Sequence, residues 1–539
     1  MDLALDAPDE RRRVAMGVYL NPGAAMLRQG RNSQIYVDKS AMIARLNRLV
    51  NTERKYACVS RPRRFGKTMA ANMVSAYYDR TVDGTAEFAG LAIAADPTFD
   101  KQRNRYDSVR INMQEFLSET HDIEALVESL HQNVAPEIKR TYPELFFRDE
   151  SSLIKCMDDV FAQTGNQFVI VIDEWDCVMR ETMSDHAGQR LYLDFLRAWL
   201  KDKPYVALAY MTGILPVKKY GSHSALNMFD EYSMLEPSWM APYMGFTSSE
   251  VEGLCQEWGR DFNECKAWYD GYRLEGAGEV YNPRSVVRSV EDGRFTSYWT
   301  QTETFEALRR YIDMDLDGLH GKVVELVGGG RVEIDMRTYD NDMTTFNRAD
   351  DVLTLLVHLG YLAYDEPRRE VFVPNREVAG EYASATAGDG WGEVARSIAT
   401  SESLLDSLLA QDTEAVARGV EQAHADVASI IAYNHEEDLA CTLRLAFYSA
   451  MRRWKLVREA PAGKGYADLL MVPLASSGAI PGVVVELKWG HSPAEALAQM
   501  RERNYAAAFR GTTAQDNVLL CAITYDPKTK RHACAIEQL

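Results

Sequence analysis

The chain has 539 residues, too many for one hydrophobic core, so several domains are expected. Hydrophobic residues at 46% and charged residues at 26% exclude a disordered or fibrous chain, and no apolar run approaches membrane-spanning length. A formal charge of −19, from 79 acids against 60 bases, excludes attraction to nucleic acid over the whole surface, so any such contact must be local to a basic patch.

Residues 1–30 open with acids in MDLALDAPDERRR, without an apolar stretch before a small-residue cleavage site, and read as an N-terminal extension of a cytoplasmic protein with no membrane partner. The eight cysteines form no CxxC pair and no regular spacing with histidine, so reduced, mostly buried thiols are expected. Arg11-Arg12-Arg13, the arginines at 61, 63 and 64, and Arg309-Arg310 are the basic clusters; solvated faces are the plain alternative for each.

Residues 31–247 alternate strand runs with helical patterns. Tyr56–Ser60, Ser108–Asn112, Phe168–Ile172 and Tyr205–Met211 are nearly continuous apolar runs, as in a parallel sheet covered on both faces. After the first comes Ser60-Arg-Pro-Arg-Arg-Phe-Gly-Lys67-Thr68, and then the helical stretch Met69–Tyr78, which is the setting of a phosphate-binding loop. Backbone N–H groups at the helix start would hold phosphates, Lys67 would reach the β and γ positions of ATP, and Thr68 would ligate Mg²⁺. Arg61, Arg63, Arg64, Phe65, Gly66, Lys67 and Thr68 make up the expected nucleotide site, with Arg61 standing where the general motif has glycine. The strand Phe168–Ile172 ends in Asp173-Glu174, one carboxylate for the magnesium shell and a second to orient the attacking water. Thr212, at the next strand end, is either a γ-phosphate sensor or an ordinary turn residue.

Residues 248–380 are mainly helical by pattern, with a possible winged-helix-like module in which the small strand Val371–Pro374 follows the helix Val352–Leu359. Residues 381–425, rich in Ala, Ser, Gly and Asp, read as a linker leading into helices. Residues 426–539 open a new αββα pattern. There Tyr466–Val472 and Val483–Lys488 read as two strands of a hairpin centred on Ser477, which places Asp468 opposite Glu486 with Cβ atoms about 5 Å apart. Period-two alternation brings Lys488 to the same face. Two hard oxygen anions beside a lysine suit Mg²⁺ and the hydrolysis of a phosphodiester. The next helix starts with Ser492, Pro493 and Glu495 in a capping box, so Gln499 projects from its second turn, a candidate to face the active edge.

Tyr36-Val-Asp-Lys-Ser40, Arg61–Thr68, Asp173-Glu174, Thr212-Gly213, Trp268-Tyr-Asp-Gly-Tyr272 and Tyr281-Asn-Pro283 resemble the bacterial AAA-ATPase-like family over roughly residues 15–290. That resemblance implies that Arg61 is usual in the loop and is used on phosphates. Asp468, Glu486-x-Lys488 and Gln499 resemble the PD-(D/E)xK nuclease superfamily over about residues 425–515, which implies a metal-dependent phosphodiesterase. The superfamily also places a glutamate on its first helix, which here is Glu436, sharing a face with Leu439, Ala440 and Leu443, or else Glu437.

The expectation is an α/β multidomain protein with a P-loop parallel α/β ATPase core, a helical middle region and a C-terminal PD-(D/E)xK α/β fold. Its nucleotide state would control a Mg²⁺-dependent nuclease acting on nucleic acid, DNA rather than RNA, in bacterial genome defence or mobile-element biology. The alternatives are a regulatory ATPase switch with a silent nuclease-fold domain that binds nucleic acid or a protein, and a nucleotide-binding scaffold that forms homo-oligomers.

Overall fold

The computed structural model describes residues 16–217, 226–299, 305–427 and 442–539, apart from 315, 317, 337–338, 340–345, 389 and 475–476. Near its N-terminus five strands, β1 (Tyr56–Ser60), β2 (Asp107–Asn112), β3 (Phe168–Asp173), β4 (Val206–Gly213) and β5 (Asp230–Tyr232), form a parallel sheet in the order β2-β3-β4-β1-β5. Alternate residues feed two cores. Tyr56, Cys58, Ile170, Ile172 and Met211 enter one, while Ala57, Val59, Val169, Val171 and Tyr210 enter the other. Burial on both faces explains why these strands read as continuous apolar runs. The order places β4 between β1 and β3, so the loop after β1 and the ends of β3 and β4 meet at one sheet edge. Helix α1 (Lys67–Tyr78) leaves that edge and is buried on most sides.

The middle region has a small sheet of β6 (Phe246–Thr247), β7 (Tyr272–Leu274) and β8 (Gly278–Tyr281), followed by α2 (Pro283–Asp292), which Asn282 caps through its side chain. A second sheet pairs β9 (Val332–Glu333) with the hairpin β10 (Ala363–Asp365) and β11 (Glu370–Phe372), directly after helix α3 (Ala349–Leu359). The expected strand at Val371–Pro374 is β11, which ends at Phe372 ahead of Pro374, a residue with no N–H to give a ladder. One core runs without a break from Leu20 to Leu445, so residue 247 separates sequence patterns and not packed units.

Residues 381–425, expected as a linker leading into helices, are helical over most of their length. They continue α4 (Arg376–Ala385) into α5 (Gly392–Leu409) and α6 (Thr413–Val427), and Leu404, Leu405, Leu408, Val416 and Val420 share a core with Trp454, Leu469, Val485 and Leu519. Apolar residues at helical spacing outweigh the small-residue composition here. The αββα pattern also becomes larger. Strands β12 (Trp454–Ala462), β13 (Gly465–Pro473) and β14 (Gly482–Trp489) run antiparallel, helix α7 (Pro493–Glu502) crosses over, and β15 (Val518–Asp526) returns parallel to β14, with β16 (Arg531–Gln538) at the edge. A second core, with Leu470, Val484, Leu497, Met500 and Phe509, fills the other face under α7. Among the described residues no helix is long and apolar enough to cross a membrane.

Candidate functional site

The loop after β1 turns on left-handed backbone at Arg64, with φ of 68°, and at Gly66, with φ of 89°. Arg61 does not have such a conformation, which accounts for a side chain being accepted where glycine is usual. Its guanidinium, however, is turned inward. Arg61 is fully buried, its Nη1 donates to the carbonyls of Ser60 and Tyr232 at 2.8 Å each, and burial lowers its pKa to about 10. The expected phosphate role therefore does not fall to the Arg61 side chain. Phe65 is likewise a core residue, its ring edge-on to Tyr272 at 5.4 Å, and its carbonyl accepts from the Gly245 N–H at 3.0 Å.

From Arg63 onward the loop faces a cavity of about 510 Å³ lined by Arg63, Arg64, Gly66, Lys67, Thr68 and Glu174, with Phe65, Tyr36, Met73, Tyr243 and Phe246 on its apolar side. Lys67 is folded back on the loop, its Nζ donating to the carbonyls of Arg61 and Pro62 at 3.0 Å. Burial lowers its pKa, and Glu174, Asp176 and Asp173 oppose that shift. Thr68 is exposed at the first turn of α1. Glu174 takes a left-handed backbone, with φ of 53°, directly after β3, which turns its carboxylate away from the strand and into the cavity. Burial raises its pKa against the pull of Lys67.

Asp173 is 1% exposed at the end of β3. Thr212 donates to its Oδ1, while Oδ2 has no hydrogen-bond partner among the described residues and lies 3.7 Å from Arg110 Nη2. Thr212 is thus a fully buried support for Asp173, and its hydroxyl is spent there. Two arginines were not foreseen. Arg180 binds Glu174 at 2.7 Å and Asp176 at 3.1 Å, and these carboxylates raise its pKa although burial, the largest effect, acts to lower it. The spacing Asp176 to Arg180 on the helix Cys177–Glu181 was its one sequence signal. Arg110 stands on β2, beside β3, and nothing in its own neighbourhood announced it.

The donor set fits a nucleotide with its cation. Gly66 leaves open space where a Cβ would stand, α1 presents N–H groups, and Asp173, whose Oδ2 accepts no hydrogen bond among the described residues, ends the strand β3 that α1 packs against.

At the far end of the chain, β13 and β14 pair Leu469 with Val485 and Met471 with Val483, and the ladder ends one step before the expected pair of Asp468 and Glu486. Asp468 Oδ2 accepts from the Leu487 N–H at 2.6 Å. Glu486 is 2% exposed; Lys488 Nζ binds its Oε1 at 2.8 Å, and its Oε2 has no hydrogen-bond partner among the described residues. Burial raises the Glu486 pKa, and the Asp468 charge adds to this against the pull of Lys488. Burial acts to lower the Lys488 ammonium, but Glu486 and Asp468 outweigh it and hold the pKa above its usual value. The lysine stays charged. Two carboxylates with an uncommitted oxygen fit a hard divalent cation.

Gln499 is half-buried on α7, in the turn of buried Ala496 and Met500. Glu436 and Glu437 lie outside the described residues. Arg503 and Tyr505, close enough to act on the charges of Glu486 and Lys488, had no sequence signal, being brought in by the turn after α7. Of the other basic clusters, Arg11–Arg13 lie outside the described residues and Arg309 is paired with Asp313 at 3.1 Å. A cleft of about 670 Å³ between the middle region and the C-terminal unit contains none of the expected site residues.

Residues 27–222 match a family model described as a predicted AAA-ATPase. A search of the curated proteins finds no match. Among solved structures, a Walker-type ATPase of Pyrococcus abyssi is 15% identical, covers 64% of this chain and 94% of its own, and has a TM-score of 0.32. Cdc6p of Pyrobaculum aerophilum is 10% identical over 66% of this chain and 96% of its own, with a TM-score of 0.23. The ORC2 protein of Aeropyrum pernix, solved in ADPNP–ADP complexes, is 12% identical over 67% and 97%, with a TM-score of 0.30.

Proposed function

We propose that the chain, whose residues 27–222 match a family model described as a predicted AAA-ATPase, binds and hydrolyses ATP and uses the nucleotide state to control a Mg²⁺-dependent phosphodiesterase, a DNA nuclease, in its C-terminal unit. At the loop, Lys67 would give up its two carbonyl partners for the β and γ phosphates, and Thr68 and Asp173 would hold the cation. Glu174, kept in place by Arg180, orients the attacking water.

The observation that carries the nuclease reading is the buried Glu486 carboxylate, whose free acceptor oxygen stands with Asp468 and Lys488 at one end of β14. A divalent cation bound by Asp468 and Glu486 would polarise the phosphodiester and make its bound water acidic. The Leu487 N–H fixes the Asp468 carboxylate, and the charged Lys488 stabilises the negative charge that develops on the phosphoryl oxygens. The order of three antiparallel strands, crossover helix and parallel strand is consistent with the PD-(D/E)xK fold.

Control of one site by the other has a physical route in its support. Arg64 Nη1 reaches the carbonyls of Tyr298 and Trp299 at 3.3 and 3.5 Å, and the N–H groups of the same two residues donate to Glu377 at 2.7 and 3.0 Å. The adjacent Arg376 donates to the Trp454 carbonyl at the start of β12, at 2.6 Å. Purified protein with Mg²⁺ should cleave DNA in a nucleotide-dependent manner. Asp468→Ala and Lys488→Ala should each lose cleavage by a hundredfold or more and keep ATP hydrolysis. Cleavage that survives in the double variant would remove the nuclease reading; cleavage indifferent to ATP, ADP or neither would remove the control.

A further inference from the structure

Two of the few exposed large apolar side chains flank the carboxylate and lysine cluster. Tyr466, 68% exposed, lies two residues before Asp468, and Trp489, 43% exposed, directly follows Lys488. Tyr466 stands on β13 beyond the last residue paired with β14, Leu469 opposite Val485, and is paired on its other side with Pro461 of β12. Strand alternation sends Trp489 to the other side of the sheet end, where its ring lies 4.6 Å from that of Tyr525 on the neighbouring strand. One aromatic thus lies on β13 two residues from Asp468, and the other on β14 next to Lys488. Exposing such rings in water is unfavourable, and the contact with Tyr525 covers only part of Trp489. Exposed cations share the same end: Lys464 and Arg503 are on the surface, tied through the Lys464 N–H and the Arg503 carbonyl at 2.8 Å, and Lys488 is partly exposed.

Resting on the phosphodiesterase reading, we infer that Tyr466 and Trp489 are stacking platforms for unpaired nucleobases on either side of the scissile phosphate, so that the site takes single-stranded or frayed nucleic acid in preference to duplex. In a duplex the base faces are already stacked on one another and offer no surface to an aromatic ring, whereas an unpaired base presents both faces. Separate aromatics interleaved with cations match the repeat of base and phosphate along one strand. They do not form the contiguous apolar patch that a protein partner buries. The globally acidic chain gains most from such contacts, because stacking contributes affinity that its net charge of −19 opposes.

The test is fluorescence anisotropy of labelled single-stranded DNA, single-stranded RNA and duplex DNA on the full chain, with Ca²⁺ in place of Mg²⁺ to suppress turnover. Trp489→Ala and Tyr466→Ala should each weaken single-strand binding about tenfold, in the DNA arm, the RNA arm or both, and change duplex binding less than twofold. Trp489→Phe, which keeps a ring against Tyr525, should restore most of the affinity. Unchanged single-strand binding in both alanine variants, or an equal fall for single strands and duplex, overturns the inference. Its failure is separable from that of the nuclease reading. Selective single-strand binding without cleavage by any form leaves the platforms standing, while cleavage with unchanged binding in the alanine variants removes the platforms alone.

Discussion

Arg61 carries a charge into a place where no carboxylate among the described residues pairs with it. Two carbonyls take one end of its guanidinium, and its Nε and Nη2 have no hydrogen-bond partner among the described residues. Its role is to fasten the start of the loop to β5 through the Tyr232 carbonyl, which is a structural role. Arg61→Ala should therefore lower unfolding free energy by about 2–3 kcal/mol, the scale of hydrogen bonds from a charged donor, in chemical denaturation. ATP affinity, titrated where the variant is still folded, should fall less than threefold; a loss of tenfold or more would return the guanidinium to the phosphates. This residue marks the limit of what the sequence makes legible at the site. Lys67, Thr68 and Glu174 line one cavity, as residue type and order imply, because backbone geometry alone sends them there. The directions of Arg61, Phe65 and Thr212 depend on the distant partners Tyr232, Tyr272 and Asp173, the nearest of them 39 positions away, and no local pattern encodes those. Asp468, Glu486 and Lys488 were readable because a hairpin register is fixed by a nearby turn.

Between elements, Glu377 of α4 is the joint. Its buried carboxylate accepts from Ser285 of α2 at 2.8 Å and from the two N–H groups at Tyr298 and Trp299. Burial, the largest effect, raises its pKa from 4.5 to about 7 in spite of these donors. The folded state therefore binds more protons than the unfolded one between those values, and stability falls as pH rises through that window, by on the order of 3 kcal/mol from this group. Urea unfolding at pH 5 and pH 8 should show this loss in the natural protein and a much flatter profile in Glu377→Gln; parallel losses in both would show that other groups set the pH dependence. The elements themselves were unevenly legible. The five-stranded parallel sheet shows in its apolar runs, and its edge strand β5, three residues long, does not. Strand β12 has a mixed, amphipathic composition beside a short turn, so it escaped the αββα reading, while α5 and α6 were obscured by small residues that still place leucine and valine on one face.

At the scale of the whole molecule the cores define two bodies. One holds the nucleotide loop and the middle region from Leu20 to Leu445, and the other comprises the two cores around β12–β16 with α5, α6 and α7. Calorimetry should resolve two transitions. ATP with Mg²⁺ at a hundred times its dissociation constant should stabilise the first by about 2.7 kcal/mol and leave the second nearly in place. A single transition, or an equal shift of both, would mean that the bodies unfold as one. The ion pair between Lys488 and Glu486, at 2.8 Å, has a consequence of another kind. Lys488 is tethered two residues from the carboxylate it neutralises, so as a counter-ion it never dilutes. At the proposed nuclease site a divalent cation would have to displace that ammonium, so cleavage would need more metal than at a site without the lysine, and whatever draws Lys488 toward a phosphate would lower that demand.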